Sequence, residues 1–294
     1  MTSTTTTTTP PLIVLAPTFY GSTDDIRYAL GLESCRKAAE HGVRLLIVDA
    51  SPNHHDTVRE SFTNAGTDAK GKAWVEVIPQ TYQGKKGAAL QEGVAVAQQR
   101  LQNEFPSQKD TSFVAMMEPE KFDLVQFFNP MAQHMAANKL DILFPRRPDA
   151  LFQNTYPIEQ YHAENFANIY LNTLGQAVGF PSVDWTFGPI VFRASLASHW
   201  LEYNEGDLWD VQFVPLIRAW RRRQQQTSKK TEPIVASYAV DYHHPDKMKQ
   251  EEEGVAKWSE KRLFQLNLLF DKVAGELKKQ QQQQQQEPAS TDKV

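Results

Sequence analysis

The sequence predicts an α/β domain built around a mostly parallel sheet flanked by helices, and three observations carry that prediction. Short, continuous, β-branched apolar runs recur along the chain, as buried parallel strands require. Segments of helical length and pattern separate them, which is the alternation that places parallel strands side by side. Polar residues with ligand chemistry (Thr18, Asp49, Gln80, Glu118 and Glu120) fall where the apolar runs end. Ligands in such sheets bind beyond the C-terminal ends of the strands.

The elements follow in order. Residues 12–16 (LIVLA) form the first strand and 17–21 a loop. Thr23, Asp24 and Asp25 supply N-cap candidates for a helix through Ala39, which Gly42 ends. Residues 44–48 (RLLIV) are the second strand, closing at Asp49. A helix over 55–65 and a strand over 74–79 come next. The loop Gly84-Lys85-Lys86-Gly87 opens a helix over 88–102, and 112–117 is the fourth strand. A helix over 122–138 and a strand over 141–145 complete the regular half. Further on, the patterns predict an amphipathic helix over 158–177, a strand within 189–194 (PIVFRA) and a helix over 209–223. A strand over 234–240 and a final helix over 254–279 follow.

Composition narrows the class. The chain has 294 residues and a net charge of −4, and its one basic run, Arg221–Arg223, is explained by a solvated helix end and not by the basic clustering that a nucleic-acid scaffold needs. Cys35 is the sole cysteine, which excludes an intrachain disulfide and a cysteine-based zinc site. No stretch reaches membrane-spanning length and no charged-then-apolar leader opens the chain, so the expectation is a cytoplasmic protein with no membrane partner. Residues 1–11 are threonine-rich and 280–294 glutamine-rich. Neither buries enough apolar surface to offset ordering, so both are expected to be disordered tails around one domain over 12–279.

The segment 112–121 (SFVAMMEPEK) carries the most chemistry. An apolar run ends in Glu118 and Glu120, one residue apart, and strand alternation would place them on the same side. Two carboxylates at a strand's outer edge could hold a divalent cation, and hard oxygen ligands suit Mg²⁺ or Mn²⁺. The plainer reading makes them solvated loop residues. Arg146 and Arg147, after the fifth strand, could clamp an anionic group or stand as a solvated pair. The segment with Lys85, Lys86 and Gly87 is either an ordinary loop or a set of ammonium groups and backbone N–H donors at a helix N-terminus, which favours phosphate.

In this order the motifs resemble the GT-A-type glycosyltransferases, over about residues 12–244. VLAPTFYG is similar to that family's first strand and loop, where a Pro-Thr pair, here Pro17 and Thr18, approaches the donor nucleotide. LIVDASPN is similar to the second strand, whose terminal Asp49 would contact base or ribose. QGKKGAALQEGVAVA resembles the Gly-Lys-Gly-rich segment, and MEPEK stands in the place of the Asp-X-Asp metal signature. VDYHHP resembles the late histidine that completes the metal site. Of His243 and His244 only one would face it, since successive strand residues point to opposite sides, and His243 is favoured. The departure from the pattern is Glu-Pro-Glu for Asp-X-Asp, with Pro119 stiffening the turn.

The resemblance implies a GT-A-like domain with a nucleotide-sugar-binding half over 12–148 and an acceptor-binding half over 149–279. It implies a glycosyltransferase that moves a sugar from a nucleotide-diphosphate sugar to a hydroxyl acceptor, and the lack of a membrane-spanning stretch favours a small soluble one. Mn²⁺ or Mg²⁺, held by Glu118, Glu120 and His243, would assist. Asp184-Trp185 and Trp209-Asp210 flank the region where such enzymes bind acceptor, and Asp210 is preferred over Asp207 as the orienting or basic carboxylate. Two other readings compete. A non-catalytic nucleotide-sugar-binding relative is motivated by the missing Asp-X-Asp. A sugar-nucleotide nucleotidyltransferase would need a Gly-rich loop with Arg after the first strand, which APTFYGSTDD lacks.

Overall fold

The computed structural model describes residues 9–82, 84–108, 110–226 and 235–286, with side chains of 223–226 and 283–286 excepted. In chain order the elements are β1 (Leu12–Thr18), α1 (Ile26–His41), β2 (Arg44–Asp49), α2 (His55–Ala65), β3 (Val75–Pro79), α3 (Lys86–Glu104) and β4 (Phe113–Met116). There follow α4 (Phe128–Asn138), β5 (Ile142–Arg146), α5 (Asp149–Thr155), α6 (Ile158–Gln176), β6 (Ile190–Arg193), α7 (Ser198–Leu201), α8 (Asp210–Gln226), β7 (Val235–Ala239), α9 (Asp246–Glu252) and α10 (Ala256–Gln286).

The seven strands form one sheet in the order β3-β2-β1-β4-β6-β5-β7. Every neighbouring pair is parallel except those of β6, which runs antiparallel to β4 and β5. Alternation along β1 sends Leu12, Val14 and Ala16 into one apolar layer and Ile13 and Leu15 into the other. The first layer is closed by Tyr28, Cys35, Val58, Phe62, Met131 and Met135, and so by α1, α2 and α4. The second is closed by α3, α6, α8 and α10 through residues such as Leu90, Leu171, Ile217 and Leu269. A sheet covered on both faces explains why its strands read as unbroken apolar runs.

Local chemistry fixes the element ends. Asp25 caps α1 by accepting from Arg27 N at 2.9 Å, and Gly42 ends that helix in the left-handed conformation at φ 63°. The expected helix over 122–138 is divided: a 3₁₀ segment, Phe122–Phe127, precedes α4. Pro130 has no N–H and is tolerated only within a helix's first turn, so the α-helical ladder begins just before it. Three helices escape the sequence patterns: the four-residue α7, and α5 and α9. The latter two each have seven residues, follow a proline and open with an aspartate that complements the helix dipole. Two turns are too short for an apolar period to show.

Both ends depart from expectation in part. Pro11 O accepts from Phe113 N at 2.8 Å, so ladder pairing begins inside the predicted N-terminal tail. α10 continues to Gln286, seven residues into the glutamine run, because glutamine is a good helix former once an amphipathic helix has nucleated. Residues 1–8 and 287–294 of the predicted tails lie outside the described residues. No helix among the described residues is long and apolar enough to cross a membrane.

Candidate functional site

Four parallel strands end side by side, and their ends build a cavity of about 350 Å³. Its walls include Pro17 and Thr18 from β1, Glu118, Pro119 and Glu120 after β4, and Lys85 and Lys86 at the start of α3. Trp209 closes one side, and Arg27, Lys261 and Gln265 another. The expectation that Thr18, Asp49 and Glu118 share one sheet edge therefore holds: Thr18 pairs in register with Asp49, and β4 lies directly beside β1.

Asp49 meets no cavity space itself, its side chain being 0% exposed. Thr18 Oγ1 and Ser51 Oγ both donate to its Oδ1 at 2.7 Å, and His55 Nδ1 lies 2.8 Å from its Oδ2. Ser51 Oγ also accepts from Tyr20 N at 2.9 Å. Asp49 thus ties the β1 and β2 ends together and fixes the loop carrying Tyr20. Gln80, at the end of β3, braces the next loop by donating to the Lys85 carbonyl at 2.8 Å.

Glu118 is the centre of the site. The strand ends at Met116, so strand alternation does not reach Glu118 and Glu120. Residues 118–121 form a tight turn, with Lys121 N donating to Glu118 O at 3.1 Å and Pro119 at the position that favours its fixed φ. The turn brings Lys121 back, its Nζ 3.4 Å from Glu118 Oε2. Lys86 Nζ donates to Glu118 Oε1 at 2.7 Å and sits 3.2 Å from the centre of the Trp209 ring. The carboxylate lies against the backbone of Gly188 at φ +98°, where an added Cβ would come within 2.9 Å of Oε1.

Burial alone would raise the Glu118 carboxyl, but the ammonium groups of Lys121 and Lys86 outweigh it and hold the pKa at about 2. Burial works against both lysines. It leaves Lys86 below its ordinary value, whereas Glu118 holds Lys121 above its own.

The other predicted residues are placed as follows. Lys85 lines the cavity but lies 3.3 Å from Asp207 at the surface. Gly87 gives its N–H to Asp207 O at 2.7 Å, and its missing side chain admits that loop, since a Cβ would stand 2.4 Å from the Asp207 carbonyl carbon. That donor is therefore not open to phosphate. Arg146 and Arg147 belong to a separate cavity of about 600 Å³, on the far side of β6. Arg147 is buried and donates to Asp184 at 2.8 Å twice and to Glu164 at 2.8 Å, so it is consumed inside the fold. Asp210 is buried at the start of α8, accepting from Tyr203 Oη at 2.6 Å and Leu208 N at 3.1 Å, and does not line the cavity. Trp185 is core, between Phe144, Phe180 and Phe213.

The residues present do not fit the three-ligand metal centre that the resemblance implies. His243 is exposed and His244 is buried, stacked on Tyr156 at 4.3 Å. Burial, then the charges of Lys121 and Arg147, hold the His244 imidazole down at about 3. No group of three or more His, Cys, Asp or Glu side chains suited to a metal exists among the described residues. A dication on Glu118 would also face two ammonium groups. At about 4 Å and an effective dielectric of about 20, each repulsion is worth about 8 kcal/mol.

Sequence reasoning missed Lys121, Arg27, Lys261 and His55. Lys121 stood inside the quoted MEPEK motif, and a proline-led turn was the signal that residue 121, not 120, returns to 118. Arg27 and Lys261 meet only in the fold, 234 positions apart by their numbers, and nothing local marks them.

No family model matches the sequence, and no curated protein matches it. Mannosyl-3-phosphoglycerate synthase from Rubrobacter xylanophilus is similar in structure over 97% of this chain and 79% of its own, with a TM-score of 0.53 and 11% identity. Glucosyl-3-phosphoglycerate synthase of M. tuberculosis is similar over 87% of this chain and 80% of its own, at 0.48 and 12%. A mycobacterial protein is similar over 90% and 75%, at 0.47 and 14%. At such identity the first of these carries the fold alone, and with the strand order and cavity described above it places this chain in the GT-A-type fold.

Proposed function

We propose that this chain is a glycosyltransferase that takes a sugar from a nucleotide-diphosphate donor to a hydroxyl acceptor. The single observation that carries the reading is the cavity at the C-terminal ends of β1 to β4, whose lining holds four cationic residues, Arg27, Lys85, Lys86 and Lys261, and two carboxylates, Glu118 and Glu120. Lys85 and Arg27 also pair with Asp207 and Glu252 outside the lining, at 3.3 Å each, so Lys86 and Lys261 are the cations best placed for a diphosphate, and the strand-end position suits a nucleotide. The donor's nucleoside lies against Pro17 and Thr18, with Asp49 keeping the β1 and β2 ends aligned from beneath. The nucleotide-binding half is then 12–148, and residues of the second half, Trp209, Lys261 and Gln265, close the cavity over the acceptor.

Transfer requires a leaving diphosphate to be neutralised and an acceptor hydroxyl to be aimed at the anomeric carbon. Oriented cations supply the first. For the second, Glu120 is the cavity carboxylate without a hydrogen bond or ion pair to any described residue, and so the group free to accept from the hydroxyl. Asp210, enclosed at its helix start, is not free. The Rubrobacter xylanophilus protein is a mannosyl-3-phosphoglycerate synthase. The Arg27 and Lys261 wall would suit a small anionic acceptor of that kind here as well.

The test is release of nucleoside diphosphate from a panel of nucleotide sugars, with small hydroxyl acceptors, by the full chain. Turnover is expected with one donor, and Glu120→Gln should lower it about 100-fold or more while donor affinity stays within a few-fold. Donor binding with no turnover under any condition would make the chain a non-catalytic nucleotide-sugar binder. Net synthesis of a sugar nucleotide would make it a nucleotidyltransferase.

A further inference from the structure

The cavity holds a carboxylate where a metal ligand is expected, yet both of its oxygens already face ammonium groups. Lys86 Nζ lies 2.7 Å from Oε1 and Lys121 Nζ 3.4 Å from Oε2. The turn 118–121 fixes Lys121 beside Glu118, and Gly188 fixes the carboxylate from behind. Lys86 differs from Lys121 in one respect: it lines the cavity, at the first position of α3, with its ammonium over the Trp209 ring. An ammonium has three donors, and Glu118 accounts for one of those on Lys86. The helix N-terminus beneath it adds to the positive field.

We infer that Lys86 is the cation that receives the donor's diphosphate, in the place where a divalent ion would otherwise bridge it. Lys121 is a positioning residue: it occupies the second oxygen of Glu118 and so keeps that carboxylate a counter-ion of Lys86 and not a ligand for metal. Nucleoside-diphosphate binding therefore needs no added metal. This inference rests on the nucleotide-sugar reading of the cavity.

Calorimetry of the full chain with UDP, GDP and ADP, and with uridine, guanosine and adenosine, separates the two. Each is measured in EDTA and again with Mn²⁺. At least one diphosphate should bind in EDTA within about threefold of its affinity in Mn²⁺. Lys86→Met should weaken the diphosphate about tenfold or more, as loss of a charge-assisted hydrogen bond does, and leave the nucleoside unchanged. Lys86→Arg should restore most of the difference. Lys121→Met frees one oxygen of Glu118 and should make diphosphate binding respond to Mn²⁺, a readout that a merely structural lysine would not move. Diphosphate binding by the unaltered chain that vanishes in EDTA and returns with Mn²⁺ overturns the inference and leaves the nucleotide-sugar reading standing. Equal affinity for diphosphate and nucleoside, or undiminished diphosphate affinity in Lys86→Met, also overturns it. Absence of binding by every nucleotide, with and without metal, removes the nucleotide-sugar reading itself.

Discussion

Among the described residues, the Arg147 and Glu118 clusters each bring buried cations and carboxylates together at the strand-end edge of one sheet, and they differ in how completely they are satisfied. Around Arg147 the guanidinium donates to Asp184, Glu164 and Thr186, while Phe152 packs 3.6 Å from its centre. Asp184 also accepts from Asn168 at 2.8 Å and Phe187 N at 3.2 Å, and Glu164 from Gln160 at 2.6 Å. Around Glu118, one lysine makes a short hydrogen bond and the other a 3.4 Å ion pair, and Oε2 has no hydrogen-bond partner. Both clusters use the same residue chemistry. A closed cluster orders its surroundings, here the 184–188 loop against α5 and α6. An open one keeps donors for something that arrives. The difference in satisfaction, and not the presence of charge, is what separates framework from site.

Removing the cation from the closed cluster should have the largest effect. Arg147→Met strands Asp184 in the interior and leaves Glu164 only the Arg262 cation, 3.5 Å away, and loss of one partner from a buried pair costs about 3–5 kcal/mol. Urea unfolding should show a midpoint shift of that order with little change in slope. A loss below about 1 kcal/mol would mean that the cluster is not structural, and the contrast with Glu118 would collapse.

Acid should discriminate next. The folded pKa of Glu118, at about 2, lies below its ordinary 4.5. A depressed folded pKa contributes stability that is present above pH 4.5 and is lost as pH falls from there toward 2. That lowering corresponds to about 3 kcal/mol. Glu118→Gln should flatten the acid limb of the stability profile inside that window and leave the profile above pH 5 parallel to that of the unaltered chain. Coincident acid limbs would show that the two lysines do not hold the carboxylate.

The smallest effect is expected at Arg146, which the sequence marked as an anion clamp beside Arg147. It is exposed and lines the separate cavity along α6. Arg146→Ala should change stability by less than about 0.5 kcal/mol and leave nucleoside-diphosphate affinity unchanged. A tenfold loss in that affinity would join the two cavities into one binding region and sharpen the comparison in the opposite direction.

Much of the architecture was determined by sequence alone. Continuous apolar runs such as LIVLA and RLLIV define strands buried on both faces, because only a sheet covered by two helical layers can hide side chains from both sides. Asp25 and Gly42 fix the ends of α1 through backbone chemistry that is local by nature. The strand-end position of Thr18, Asp49 and Glu118 followed from the same logic. What the tertiary structure decided was which of these groups remain free. Asp49 is satisfied by Ser51 and His55, Gly87 by the Asp207 carbonyl and Asp210 by Tyr203. Arg147 is consumed by Asp184 and Glu164, which lie 37 and 17 positions further along the chain. Glu118 is taken by Lys86 from 32 positions away. Residue type states what a side chain can bond to, but occupancy depends on neighbours brought together by packing, and no local pattern encodes them. A turn led by Pro119 then reversed one last inference: it returned a lysine to the carboxylate where strand spacing had promised a second acid.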